Sequence, residues 1–93
     1  MNTKFLKALH QLDMGNYNDA ESNIKQAISE TSNIYELLEI YSCYAEVLYE
    51  LNRYDDAMKC ADFILNNNED FDDGLATETA LDIKKKISQY YCD

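Results

Sequence analysis

Ninety-three residues with a net charge of −10, built from 18 Asp and Glu against 8 Lys and Arg, suffice for one domain with a core of its own. That charge argues against a nucleic-acid partner, whose phosphates need a basic footprint, and disfavours an anionic membrane surface. With no Pro, two Gly and no apolar run of about 18 residues, the composition excludes a flexible linker and a membrane span, and points to an all-α class.

The first helix is predicted over about residues 3–14, where Phe5, Ala8, Leu9 and Leu12 recur at spacings of three and four. Gly15-Asn16 ends it, Gly being suited to the residue after a helix. A second helix spans about 17–30 and turns Tyr17, Ala20, Ile24, Ala27 and Ile28 to one face. Thr31-Ser32-Asn33 is a turn. Asn33, with Glu36 three residues on, resembles a capping box in which Asn replaces Ser or Thr.

The third helix, about 34–51, carries two adjacent apolar stripes. One is Ile34, Leu37, Leu38, Tyr41, Ala45 and Leu48; the other is Ile40, Tyr44, Val47 and Leu51. A helix apolar on more than one side is sandwiched between others, so this one is the expected centre of the domain. The fourth helix, about 54–66, opens on Asp55 and Asp56 at the positive end of its dipole and faces Ala57, Ala61, Ile64 and Leu65 inward. Residues 66–73 form a polar loop. The last helix, about 74–90, is predicted to bury Leu75, Thr79, Ile83, Ile87 and Tyr90 or Tyr91, with Lys84-Lys85-Lys86 toward its negative end.

Little in the chain suggests catalysis or a cofactor. His10 is the one histidine, with no Ser or Cys at a useful spacing, and no P-loop, dinucleotide or zinc-protease pattern occurs. The acidic run Glu69-Asp70-Phe71-Asp72-Asp73-Gly74 fails as a calcium loop, because aligning Gly74 puts Phe71 on a ligand position and Ala80 where a bidentate Glu is required. Cys43, Cys60 and Cys92 are an odd number without metal-ligand spacing. The N-terminus lacks a signal-peptide core, so reduced thiols and a cytoplasmic protein are expected. Cys43 and Cys60 read as small core residues. No enzyme, cofactor or metal is expected.

Met14-Gly15-Asn16-Tyr17-Asn18-Asp19-Ala20 recurs as Leu51-Asn52-Arg53-Tyr54-Asp55-Asp56-Ala57, and internal repetition marks stacked supersecondary units. These residues resemble the tetratricopeptide repeat. Ala8 and Ala45 match that family's small residue in the first helix of each unit; Gly15, Tyr17, Ala20, Ile24 and Ala27 match the rest of unit one; Tyr41, Leu48, Tyr54 and Ala57 match unit two. Asn52 replaces the turn Gly, Ala61 and Ile64 reverse the usual large-then-small order, and Lys4, Lys7 and Gln11 stand at usually apolar positions. The resemblance implies repeat one over about 3–30, repeat two over about 34–66 and a capping helix over about 74–91, as a short superhelix of five helices. Two repeats and a cap are a short stack, so either the last helix or another chain completes the core.

In that family the first helices of the units line a concave groove. The resemblance places Asn2, Phe5, Leu9, Leu12 and Asp13 there from unit one, and Glu39, Ser42, Glu46, Tyr49 and Glu50 from unit two. An apolar patch bordered by carboxylates suits an amphipathic helix with Lys or Arg on its edges, and Tyr49 is the interface candidate among eight tyrosines. Size, acidity and repeat type further resemble the tetratricopeptide-type chaperones of bacterial type III secretion that keep the needle subunit monomeric. That likeness implies a cytoplasmic chaperone that sequesters the subunit's amphipathic helix, with a second small co-chaperone bound elsewhere. The alternative is a self-associating structural or adaptor module.

Overall fold

The described residues of the computed structural model are 2–67 and 74–91, with side chains described as far as Gln89. They form five helices and no strand: α1 (Thr3–Asp13), α2 (Tyr17–Glu30), α3 (Ile34–Glu50), α4 (Tyr54–Asn67) and α5 (Gly74–Tyr91). Of the polar loop expected over 66–73, residues 66 and 67 belong to α4; residues 68–73, Cys92 and the side chains of Tyr90 and Tyr91 lie outside the described residues.

Both copies of the repeated turn are built alike. After α1, Gly15 takes φ +79°; its N–H donates to the Leu12 carbonyl (3.1 Å), and the Asn16 N–H donates to that of Gln11 (2.8 Å). After α3, Asn52 takes φ +63°; its N–H donates to Tyr49 (3.0 Å), and the Arg53 N–H donates to Leu48 (2.9 Å). This pair of bonds around a left-handed residue is the Schellman ending. Asn is the commonest non-Gly residue to adopt that conformation, so the Gly-to-Asn difference leaves the turn intact.

Helix starts are also side-chain controlled. Asn2 Oδ1 accepts from the Lys4 and Phe5 N–H groups (2.8 and 3.2 Å), and Asn33 Oδ1 accepts from Tyr35 and Glu36 (2.8 and 3.2 Å). The capping box around Asn33 is half formed: its own N–H donates to Thr31 Oγ1 (3.3 Å), not to Glu36.

Short turns make consecutive helices antiparallel neighbours. The start of α1 meets the end of α2 through Asn2 and Glu30, and the start of α2 meets the end of α3 through Glu21 and Tyr44. The chain zigzags between two layers, α1, α3 and α5 in one and α2 and α4 in the other. A thickness of 18 Å fits two helices packed 8–10 Å apart.

Two apolar clusters flank α3. Phe5, Ala8, Ala20, Ile24 and Ala27 pack with Ile40, Cys43 and Val47 on one side. Leu38, Ala45 and Leu48 pack with Ala57, Cys60, Ala61 and Ile64 and with Ala76, Ala80, Ile83 and Ile87 on the other. The two stripes expected on α3 thus serve two cores, and α5 completes the second.

On α5 the expected inner face needs correction. Ile83 and Ile87 are buried, but Leu75 is 72% exposed while Ala76 and Ala80 are buried in its stead. The face is rotated by one residue because a row of successive i+4 steps from 75 to 87 drifts about 120° round the helix, whereas positions 76, 80, 83 and 87 keep to one side and pack in one cluster with Leu38 and Ile64. The lysine run also plays another part. α5 continues to Tyr91, so Lys84–Lys86 lie inside the helix; Lys84 reaches Asp62 of α4 (2.6 Å) and Lys86 reaches Asp82 (3.0 Å).

Glu21 ties the two halves together. Its carboxylate accepts from the Tyr44 hydroxyl (3.0 Å) and from Arg53 (2.6 Å), which also holds Asp56 (3.1 Å). The Tyr44 hydroxyl is pushed up to about 12, by burial and then by its bond to that carboxylate.

Candidate functional site

The inner layer is concave because α1, α3 and α5 each turn one stripe away from the two cores. On α3 that stripe is Glu39, Ser42, Glu46 and Glu50, at helical spacing and on neither core face. On α5 it is Leu75, Thr79, Asp82 and Lys86, one residue round from the buried Ala76, Ala80, Ile83 and Ile87. The α1 side supplies Leu9 beside the buried Phe5 and Ala8.

These stripes enclose two adjoining hollows. The first, about 370 Å³, is lined by Phe5, Leu9, Leu12, Glu39, Ser42, Cys43, Glu46, Leu75, Ala76 and Thr79. The second, about 420 Å³, is lined by Leu12, Asp13, Tyr17, Glu46, Tyr49, Glu50, Thr79, Asp82, Ile83 and Lys86. Leu12, Glu46 and Thr79 are common to both, so together they form one groove. All nine residues singled out from the sequence (Phe5, Leu9, Leu12, Asp13, Glu39, Ser42, Glu46, Tyr49 and Glu50) line it. Asn2 does not; its side chain caps α1 and bonds to Glu30.

Sequence reasoning missed the third wall. The sequence pattern turns Leu75 and Thr79 to the core and gives Asp82 and Lys86 no place in the groove. The available signal was the stripe at positions 75, 79, 82 and 86, whose mixed chemistry does not register as an amphipathic face.

The groove differs along its length. The end that contains Phe5, Leu9, Leu75 and Ala76 is mainly apolar. At the other end stand four carboxylates, Asp13, Glu46, Glu50 and Asp82, against the one ammonium of Lys86. α1 ends at Asp13 and α3 at Glu50, so two helix C-termini add partial negative charge there. Lys86 lies 5.4 Å from the centroid of the Tyr49 ring, and that ring packs at 5.5 Å on Tyr54. Tyr49 is half-buried, an aromatic wall more than a projecting contact.

Glu46 stands at the exposed rim, yet partial desolvation of its carboxyl against the groove wall raises it, and the neighbouring Asp82, Asp13 and Glu50 raise it further, while Lys86 opposes them. A carboxyl raised in the folded state stabilises the fold when protonated. That contribution is present below the unfolded pKa and is lost as pH rises through the folded one. Glu46→Gln is therefore expected to melt higher than the parent at pH 7, by about 2 °C for a surface-level effect, and to match it at pH 4. A lower melting temperature at pH 7 would contradict the assigned environment.

Cys43, at the groove floor, is 3% exposed, and burial pushes its thiol up to about 12, aided by Glu46 and Asp13; a thiol so placed is protonated and inert. Cys60 is raised to about 12 by burial and by Asp56. His10 is exposed on α1 and lines neither hollow. Among the described residues no group of three or more His, Cys, Asp or Glu is placed to hold a metal ion, and no helix is long and apolar enough to cross a membrane. Comparison with protein-family models, curated proteins and solved structures returns no match.

Proposed function

We propose that this chain is a non-enzymatic, cytoplasmic, tetratricopeptide-like binding protein whose α1/α3/α5 groove holds an amphipathic helix of another polypeptide. The observation that carries the reading is the groove: an apolar floor with exposed Leu9 and Leu75 (36% and 72%), edged by carboxylates and built by three parallel helices. Exposed apolar side chains gathered in a concavity and rimmed by charge favour a partner surface over plain solvation.

The specific reading is a chaperone of the kind that keeps a type III secretion needle subunit monomeric, with a second small co-chaperone bound elsewhere. Its mechanism is competition, in which the groove covers the apolar face that otherwise drives the subunit to self-assemble. With stoichiometric protein, a short self-assembling helical needle subunit is expected to stay monomeric by light scattering and gel filtration. Unhindered polymerisation at stoichiometric excess would remove that reading.

The double variant Tyr49→Ala with Glu46→Lys alters the aromatic wall and the charge at one end. It is expected to bind such a subunit at least tenfold more weakly while keeping its helical circular dichroism. Undiminished affinity would reassign the binding surface.

The second reading, a self-associating module, draws on the outer edge of α5, where Leu81 is 54% exposed. Sedimentation velocity of the protein alone separates the two. A monomer favours a different chain as partner, and a concentration-independent dimer favours the module.

A further inference from the structure

We infer that the acidic end of the groove is already occupied by the protein's own Lys86, which holds the place of a cation the partner brings. The occupant is then an amphipathic α-helix of about three turns. Its apolar side chains cover Leu9 and Leu75, and a Lys or Arg about two turns along takes the place of Lys86 against Tyr49. The inference rests on the peptide-binding reading and adds the chemistry and register of the occupant.

Three observations carry it. The first is length. The α3 wall runs from Glu39 to Glu50, which at about 1.5 Å per residue is roughly 16 Å, or three turns of a bound helix. The second is the change in character along that length. The apolar half sets Glu39 and the shared Glu46 at the edge of Phe5, Leu9, Leu12, Leu75 and Ala76, with no cation in its lining, whereas the other half gathers Asp13, Glu46, Glu50 and Asp82 around one ammonium. A partner whose charge were spread evenly would leave one half mismatched, and a second copy of this chain, carrying −10, is repelled by the acidic half.

The third observation is Lys86 itself. Its ammonium sits over the Tyr49 ring at 5.4 Å, pairs with Asp82 at 3.0 Å and acts on the Glu46 carboxyl. An aromatic face with carboxylates beside it is a site chemically suited to an alkylammonium or guanidinium. The hold on Lys86 is light, because both it and Asp82 are about half exposed (48% and 56%) and an exposed i,i+4 pair contributes little. An incoming Lys or Arg, anchored by its own apolar neighbours, displaces it at small cost. Lys86 thereby lowers the protein's selectivity for basic partners, since part of the cation's gain is spent on the exchange.

Two synthetic peptides test this by isothermal titration calorimetry on the full chain and on Lys86→Met. Each is an acetylated, amidated Leu/Ala model helix of about 14 residues, differing only by Lys or Gln two turns from the Leu pair. The expected result is a Lys-over-Gln preference of about threefold for the parent, rising to about tenfold or more for Lys86→Met. The Gln peptide is expected to bind both proteins alike. If both peptides bind and the preference is the same with and without Lys86, the self-occupied site is overturned while the groove reading stands. If neither peptide binds, both readings fall. Lys86→Gln serves as a second variant, so that the outcome does not rest on one side chain's solubility.

Discussion

Ile40→Ala is expected to destabilise the fold by about 3 kcal/mol, the cost of deleting a large buried aliphatic side chain together with the cavity that remains. For a domain of this size that lowers the melting temperature by about 12–24 °C, a large share of the 5–15 kcal/mol that small domains possess. Ile40 is completely buried and packs with Phe5, Ala8, Ile24 and Val47 in the cluster between α1, α2 and α3. The variant also reports on cooperativity. Because α3 supplies Ile40 to one cluster and Leu38 and Leu48 to the other, neither can dissolve without exposing a face of the shared helix. A single sharp transition is therefore expected for Ile40→Ala and likewise for Ile64→Ala, which sits in the other cluster. Two separated transitions in either variant would show that the halves fold independently.

That sharing extends to α5. The short stack leaves completion of the core either to the last helix or to another chain, and α5 supplies Ala76, Ala80, Ile83 and Ile87 to the second cluster. Nothing in the described core requires a partner to close it. The case for a partner moves to the groove, where Leu9 and Leu75 remain exposed beside the buried Phe5 and Ala76.

Features governed by nearby residues were legible in the sequence. Helix ends follow from Gly15, Asn33 and Asn52, whose caps are satisfied within a few residues, and the double stripe on α3 follows from periodicity. The nine residues that the tetratricopeptide resemblance assigns to a groove all line the two hollows, with Phe5, Leu12 and Tyr49 packing on the cores as well. What was not legible depended on contacts across the chain. Leu75 is an exception, missed although the reason is local: it outranks Ala76 in apolarity, but a row of i+4 steps from 75 to 87 drifts about 120° round the helix, so the buried stripe is 76, 80, 83 and 87. Lys86 looked like a dipole partner at a helix end. Its place over Tyr49 depends on the relative register of α3 and α5, which no local pattern encodes.

The second large expected effect lies on the opposite side of α3 from its solvent. Ala45, Ala57 and Ala61 are all fully buried in one cluster, and an interface of small side chains brings the α3 and α4 backbones close together. Ala45→Leu has no room there. It is expected to cost about 3 kcal/mol by overpacking, whereas Ala45→Gly should cost about 1 kcal/mol through helix propensity, and chemical denaturation measures both. Similar losses for the two would mean that the site tolerates bulk and that Ala45 is not a close-approach residue. The variant should also reach the groove. Ala45 is followed directly by Glu46 on the groove stripe, with Ser42 and Tyr49 a turn to either side. Pushing α3 away from α4 narrows the space between α3 and α1. Among molecules of Ala45→Leu that remain folded, affinity for an amphipathic helical peptide is thus expected to fall several-fold, while Ala45→Gly keeps it. Equal affinity in both would uncouple the α3–α4 crossing from the groove and leave the helix spacing without a part in binding.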